Sequence, residues 1–184
     1  FKALNDSISA AKRVEVTGEN IKKLLENELS AKPEIKDIIS SIKIEMTKEG
    51  LRVELIETSE SLFFEVGSST LKREAVELLR KLALEIGKLP NNVEIEGHTD
   101  SRAYRGKSLY TNWELSADRA NAARRVLETA GLWQGQIVKV TGFADRKLRN
   151  PDNPFEVTNR RVSILIKQMS TDQFMSLAGE TKNE

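Results

Sequence analysis

Residues 93–131 read VEIEGHTDSRAYRGKSLYTNWELSADRANAARRVLETAG. Val93-Glu94-Ile95-Glu96 alternates apolar and charged residues, as a short strand does. From about Glu114 to Ala130 the residues Leu115, Ala122, Ala123, Val126 and Ala130 recur at helical spacing, and Gly131 is placed to stop the helix at C′. The polar stretch between them holds His98, Thr99, Asp100 and Asn112. A strand that feeds a polar loop and then a helix is one unit of a layered α and β domain.

Arg119 breaks the pattern of that helix. At about 100° per residue it falls near the middle of the apolar stripe, whereas Arg124 and Arg125 fall toward solvent. An inward arginine needs an anionic partner, because an unpaired buried charge is very costly. Asp100 is the nearest candidate by connectivity, since its strand end and this helix start flank one loop. Two readings remain open. Asp100 and Arg119 form an internal ion pair, or both face a pocket and grip a zwitterion, the arginine fork taking a carboxylate and the aspartate an ammonium.

Catalysis fits less well. His98 has no G-x-S-x-G elbow to serve, no H-E-x-x-H is present, and a histidine at a strand end is expected as a structural hydrogen-bonder. Glu114 and Asp118 lie off the inward stripe, which argues against a carboxylate acid–base pair. There is no glycine-rich phosphate loop. The expectation is a non-enzyme with no catalytic residues, no cofactor and no metal.

The flanking sequence extends the pattern. Residues 42–57, IKIEMTKEGLRVELIE, form a hairpin with a Glu49-Gly50 turn, which sets Met46 opposite Val53 and Ile44 opposite Leu55. A loop with Phe63 and Phe64 leads to a helix over about Leu71–Lys88, with Leu71, Ala75, Leu78, Leu79, Leu82 and Ile86 on one side. Ile137–Val140 and Arg161–Ile166 are further strands, separated by a loop with Pro151 and Pro154. Strand alternation puts Arg160 and Arg161 on opposite sides, and one of them could reach the polar loop. The order β-β-α-β-α-β-β implies an α+β sandwich: a mixed β-sheet with helices packed on one face. Before residue 41 the text is charged and helical. Thr17 is the expected N-cap of a helix carrying Ile21, Leu24, Leu25 and Leu29, and Pro33 opens a second, short helix.

Composition narrows the classes. A chain of 184 residues suits one domain plus an extension. The net charge of +1, from 29 basic and 28 acidic residues, argues against a nucleic-acid partner. The absence of cysteine excludes disulfides and thiolate metal sites, and a single histidine excludes a histidine-rich one. No apolar run approaches the roughly 20 residues that span a bilayer, and no signal peptide is visible. The chain opens at Phe1 rather than methionine, so the expectation is a fragment whose anchor lies elsewhere.

Gly97-His98-Thr99-Asp100, then Asn112 with Leu115-Ser116 and Arg119-Ala120, Gly142 after a strand, and Asn159-Arg160-Arg161-Val162 together resemble the OmpA-like peptidoglycan-binding family over about residues 60–167. The wording Tyr110-Thr111-Asn112-Trp113-Glu114-Leu115-Ser116-Ala117-Asp118-Arg119-Ala120-Asn121 looks closer still to its flagellar motor stator B-subunit branch, the MotB type. The loop from Ser101 to Thr111 departs from the shorter, glycine-containing loop usual in outer-membrane members.

The resemblance implies an OmpA-like domain over residues 42–168, a helical periplasmic linker or regulatory segment over 1–41, and a C-terminal tail over 169–184. It implies non-catalytic peptidoglycan binding that anchors a stator complex to the cell wall. Asp100 and Arg119 would hold the diaminopimelate of the peptide stem, with Thr99, Asn112, Leu115, Ser116 and Arg160 or Arg161 contributing. The implied partners are peptidoglycan, a second copy in a homodimer, and a stator A subunit reached through an upstream transmembrane helix. Flagellar basal-body ring proteins are further candidates. The implied location is the periplasmic part of a single-pass inner-membrane protein. The alternative is an OmpA- or Pal-like outer-membrane-associated protein that tethers membrane to wall.

Overall fold

A computed structural model describes residues 2–105 and 109–169. The expected tail therefore lies almost wholly outside the described residues. Five strands form one mixed sheet in the order β1-β2-β5-β3-β4: β1 (Ile42–Thr47), β2 (Gly50–Ile56), β3 (Val93–His98), β4 (Ile137–Gly142) and β5 (Arg161–Lys167). Helices α1 (Lys2–Ala31), α2 (Lys36–Ser40), α3 (Arg73–Ile86) and α4 (Asn112–Ala130) accompany it, and short 3₁₀ turns cover Pro33–Ile35 and Val157–Asn159. β3 and β4 pair in parallel across α4, while β5 runs antiparallel to both β2 and β3. The mixed sheet with helices on one face is the architecture that the β-β-α-β-α-β-β order implies.

Alternation along β5 shows how the two faces divide. Val162, Ile164 and Ile166 enter the core with Val53, Leu55, Ile95, Leu78, Leu82 and Leu127. Ser163 lies on the other face, where its hydroxyl accepts from Arg52 Nη1 at 2.7 Å. That face carries ion pairs: Arg52 Nη1 lies 2.9 Å from Glu96 Oε2, and Arg161 Nε lies 3.1 Å from Glu54 Oε1.

Two local expectations need correcting. Thr17 is not an N-cap, because one helix runs through Lys2–Ala31. Val14, Thr17, Ile21 and Leu25 form one buried stripe across it. Gly18 lets the helix approach the sheet, since a Cβ there would lie 3.2 Å from Leu51 Cδ1. Tertiary contact thus outweighs the roughly 1 kcal/mol helix penalty of glycine.

The hairpin turns one residue early, at Lys48-Glu49, so that Met46 faces Leu51 and Ile44 faces Val53. The Thr47 hydroxyl stabilises the turn, accepting from Glu49 N at 3.2 Å and donating to Gly50 O at 2.9 Å. Gly50, at φ +140°, belongs to the strand, where a Cβ would meet Ile166 O at 1.9 Å. The two-residue change in register preserves the inward face of the strands.

Gly131 ends α4 as expected, at φ 179°. It serves the close approach of α3 and α4, where a Cβ on Gly131 would meet Ala83 O at 2.9 Å.

The ion-paired face makes stability depend on acid. His98 first and Arg52 next hold the Glu96 carboxyl at about 2, against an ordinary 4.5, although burial opposes them. A carboxylate lowered on folding stabilises the fold above its unfolded value and loses that contribution as pH falls through the folded one. Glu96→Gln should therefore lower the urea midpoint at neutral pH, and the gap from the parent should close between about pH 4.5 and 2. A gap unchanged down to pH 2 would contradict this assignment.

Candidate functional site

The site forms where the carboxyl end of β3 meets the start of α4. Beyond His98 the chain is pinned by Thr99 N donating to Ala144 O at 2.8 Å and Ser101 N donating to Pro154 O at 2.9 Å. The next element is fixed by a capping box. Thr111 Oγ1 accepts from Trp113 N at 3.2 Å, and Thr111 N donates to Glu114 Oε2 at 2.7 Å. Asn112 ties the two parts together, its Nδ2 donating to Arg102 O at 2.7 Å.

Arg119 points inward and is 6% exposed. Burial pushes its pKa down, yet a guanidinium remains charged at any physiological pH. Its contacts are with the loop before α3. Nε donates to Ser68 O at 2.9 Å, and the guanidinium lies 5.0 Å above the Phe64 ring centre. That loop is held by Glu57 Oε1, which accepts from Phe63 N at 3.2 Å and Phe64 N at 3.0 Å.

The direct Asp100–Arg119 ion pair does not form. The buried Asp100 carboxylate instead receives Arg102 Nη1 at 2.7 Å and has Arg160 Nε at 3.5 Å. Asp100 and Arg119 line one open cavity of about 740 Å³, together with Thr99, Asn112, Leu115 and Arg160. Arg102 and Arg105 also reach the lining, so among the described residues four guanidinium groups accompany one carboxylate. Thr99 Oγ1 and Arg160 Nε are buried without a hydrogen-bond partner among the described residues. Buried polar atoms are almost always bonded, so Thr99 Oγ1 is suited to a polar ligand, whereas Arg160 Nε already has the Asp100 carboxylate at 3.5 Å. The cavity can take a molecule that brings oxygen anions to the arginines and a cation to Asp100.

The other expected residues lie elsewhere. Ser116 is fully buried, and its hydroxyl accepts from Ala144 N at 3.0 Å and donates to Trp113 O at 3.0 Å. It holds the loop after β4 against α4. Arg161 occupies the ion-paired face, where it also donates to Asn159 O and Lys147 O. Of the two adjacent arginines, only Arg160 lines the cavity.

His98 is buried scaffold, and Glu96, its polar neighbour, lies just beyond hydrogen-bond length. The histidine is 1% exposed, stacks on Phe143 with ring centres 5.2 Å apart, and has no bonded partner at either ring nitrogen among the described residues. Burial pushes its pKa down, and its Nε2 lies 3.6 Å from Glu96 Oε2. Ser68 and Phe64, the neighbours of Arg119, carried no signal in the sequence. Arg102 did carry one, since a residue two beyond an aspartate can close an Asx turn on it.

The OmpA family matches residues 63–161. Motility protein B of Escherichia coli strain K12 is 33% identical over 162 residues, which is 87% of this chain and 53% of that protein. The chain thus spans about half the length of the curated relatives it matches. In fold it is similar to the periplasmic domain of Helicobacter pylori MotB, with a TM-score of 0.61 at 22% identity over 78% of this chain and 93% of the other. A similar likeness holds for the cell wall anchor of the T6SS from Pseudomonas aeruginosa, with a TM-score of 0.61 at 22% identity over 79% and 97% of the two chains.

Proposed function

We propose, because this chain belongs to the OmpA family, that it binds peptidoglycan without cleaving it and anchors a flagellar motor stator to the cell wall. One observation carries the reading. Arg119 is buried at the wall of an open cavity that also holds Asp100, and no carboxylate among the described residues pairs with it directly. A fixed cation and a fixed anion in one cavity suit the far end of diaminopimelate, which has both a free carboxylate and a free amine. The Arg119 fork takes the carboxylate and Asp100 takes the ammonium. Leu115 gives the apolar wall, while Thr99, Asn112 and Arg160 supply polar contacts.

The boundaries proposed are the helical segment 1–41, the binding domain 42–168 and the tail 169–184. Val14, Ile21, Leu25 and Ile38 of the first segment join the domain core, so that segment rests on the domain in this structure. Among the described residues no helix is long and apolar enough to cross a membrane. Anchoring to the inner membrane, and contact with a stator A subunit, would fall to sequence beyond this chain. A homodimer would present two weak wall sites together and add avidity. Relatives named Motility protein B support the stator setting.

Purified sacculi provide the test. The domain should sediment with them and release no soluble muropeptides. Release would mean a hydrolase, and a domain that stays in the supernatant would remove wall binding altogether.

A further inference from the structure

Asp100 already holds a cation that belongs to the chain. Arg102 Nη1 donates to its Oδ2 at 2.7 Å, and Arg102 N donates to its Oδ1 at 3.0 Å. The two side chains differ in freedom, because that of Asp100 is 6% exposed and that of Arg102 is 59% exposed. Asn112 holds the Arg102 carbonyl at 2.7 Å. The Arg102 side chain can therefore leave the carboxylate while the loop backbone stays in place.

We propose that Arg102 is a specificity-determining residue, an internal stand-in for the ammonium that a ligand must bring to Asp100. This rests on the reading of the cavity as a zwitterion site. A ligand with only an amine gains Asp100 but frees Arg102 beside Arg105, Arg119 and Arg160, and brings no anion for any of them. A ligand with an amine and a carboxylate supplies an anion to those arginines in the same event. The self-contact thus disfavours bare amines and favours zwitterions. Its cost to the proper ligand is small, since the Arg102 partner of the pair lies largely in solvent, and amounts to roughly two- to fivefold in affinity.

The test titrates the full chain and its Arg102→Ala variant with the tripeptide L-alanyl-γ-D-glutamyl-meso-diaminopimelate, and with the same peptide acetylated on its diaminopimelate amine. Arg102→Ala should bind the free-amine peptide about two- to fivefold more tightly and show no gain on the acetylated one. Weaker binding of the free-amine peptide by the variant would make Arg102 a direct ligand contact and overturn the proposal. An equal gain on both peptides would reduce Arg102 to a general field effect and overturn it as well. Either result leaves the peptidoglycan reading standing, whereas failure of the parent chain to bind the free-amine peptide overturns both.

Discussion

Arg119→Ala should abolish sedimentation with sacculi while the fold persists. The buried guanidinium bonds to one backbone carbonyl, Ser68 O, and lies over the Phe64 ring. Losing one charge-assisted hydrogen bond and one cation–π contact costs about 2–5 kcal/mol, and relief of the burial penalty on Arg119 offsets part of that. Binding tolerates a loss of this size far less well than folding does, since each wall site is weak. Removing one partner of a desolvated, hydrogen-bonded charge pair costs about 2–5 kcal/mol, which is roughly 30- to several-thousandfold in affinity. Arg119→Lys keeps the charge but not the fork, and should fall between the two. Equilibrium unfolding alongside sedimentation checks both halves. Wall binding that survives in folded Arg119→Ala would show that the arginine is not the carboxylate ligand.

The second large effect is expected at Gly97, which lies in β3 directly beneath α4. A Cβ there would stand 1.9 Å from Ser116 O and 2.8 Å from Ser116 C. Both are backbone atoms, so no side chain can rotate away. Gly97→Ala must push α4 off the sheet, and α4 carries Arg119, Asn112 and Leu115. Overpacking typically costs about 1–3 kcal/mol, and backbone against backbone belongs at or above the top of that range. At about 2–4 °C per kcal/mol for a chain of this size, the melting temperature should fall by roughly 6–12 °C. Sedimentation with sacculi should weaken as well, because Arg119 moves relative to Asp100. Gly67→Ala separates this steric effect from backbone strain, since Gly67 has φ +64° but a Cβ there would meet nothing within 4 Å. An unchanged melting temperature in Gly97→Ala would mean that α4 and β3 are not in backbone contact.

The two predictions rest on features of different legibility. Arg119 could be singled out from the helix alone, because helical periodicity is local and a charge inside an apolar stripe is visible without any fold. The same holds for the order of strands and helices, since the periods of β5 and α3 are strong. The neighbours of Arg119 were not legible. Ser68 lies 51 residues away and contributes a backbone carbonyl, which has no residue identity to read. The Asp100–Arg119 pair followed from chain order, yet Arg102 is only two residues from Asp100 and reaches it first.

The remaining differences also come from contacts between distant segments. Glu49-Gly50 has turn chemistry, but Gly50 is needed against Ile166 O of β5, so the turn falls earlier. Thr17 is an acceptable cap in isolation, and the buried stripe from Val14 to Leu25 carries the helix straight through it. Arg160 and Arg161 alternate as a strand requires. Which of them faces the cavity depends on Glu54, 107 residues before Arg161, which draws the latter to the opposite face of the sheet.

The most direct measurement compares two soluble peptides by calorimetric titration: the meso-diaminopimelate tripeptide, and the tripeptide with lysine in its place. They share the side-chain ammonium and differ only in the far carboxylate that Arg119 is assigned to hold. Binding of the diaminopimelate peptide alone, lost in Arg119→Ala, is the predicted result. Equal affinity for the two peptides would contradict the assignment.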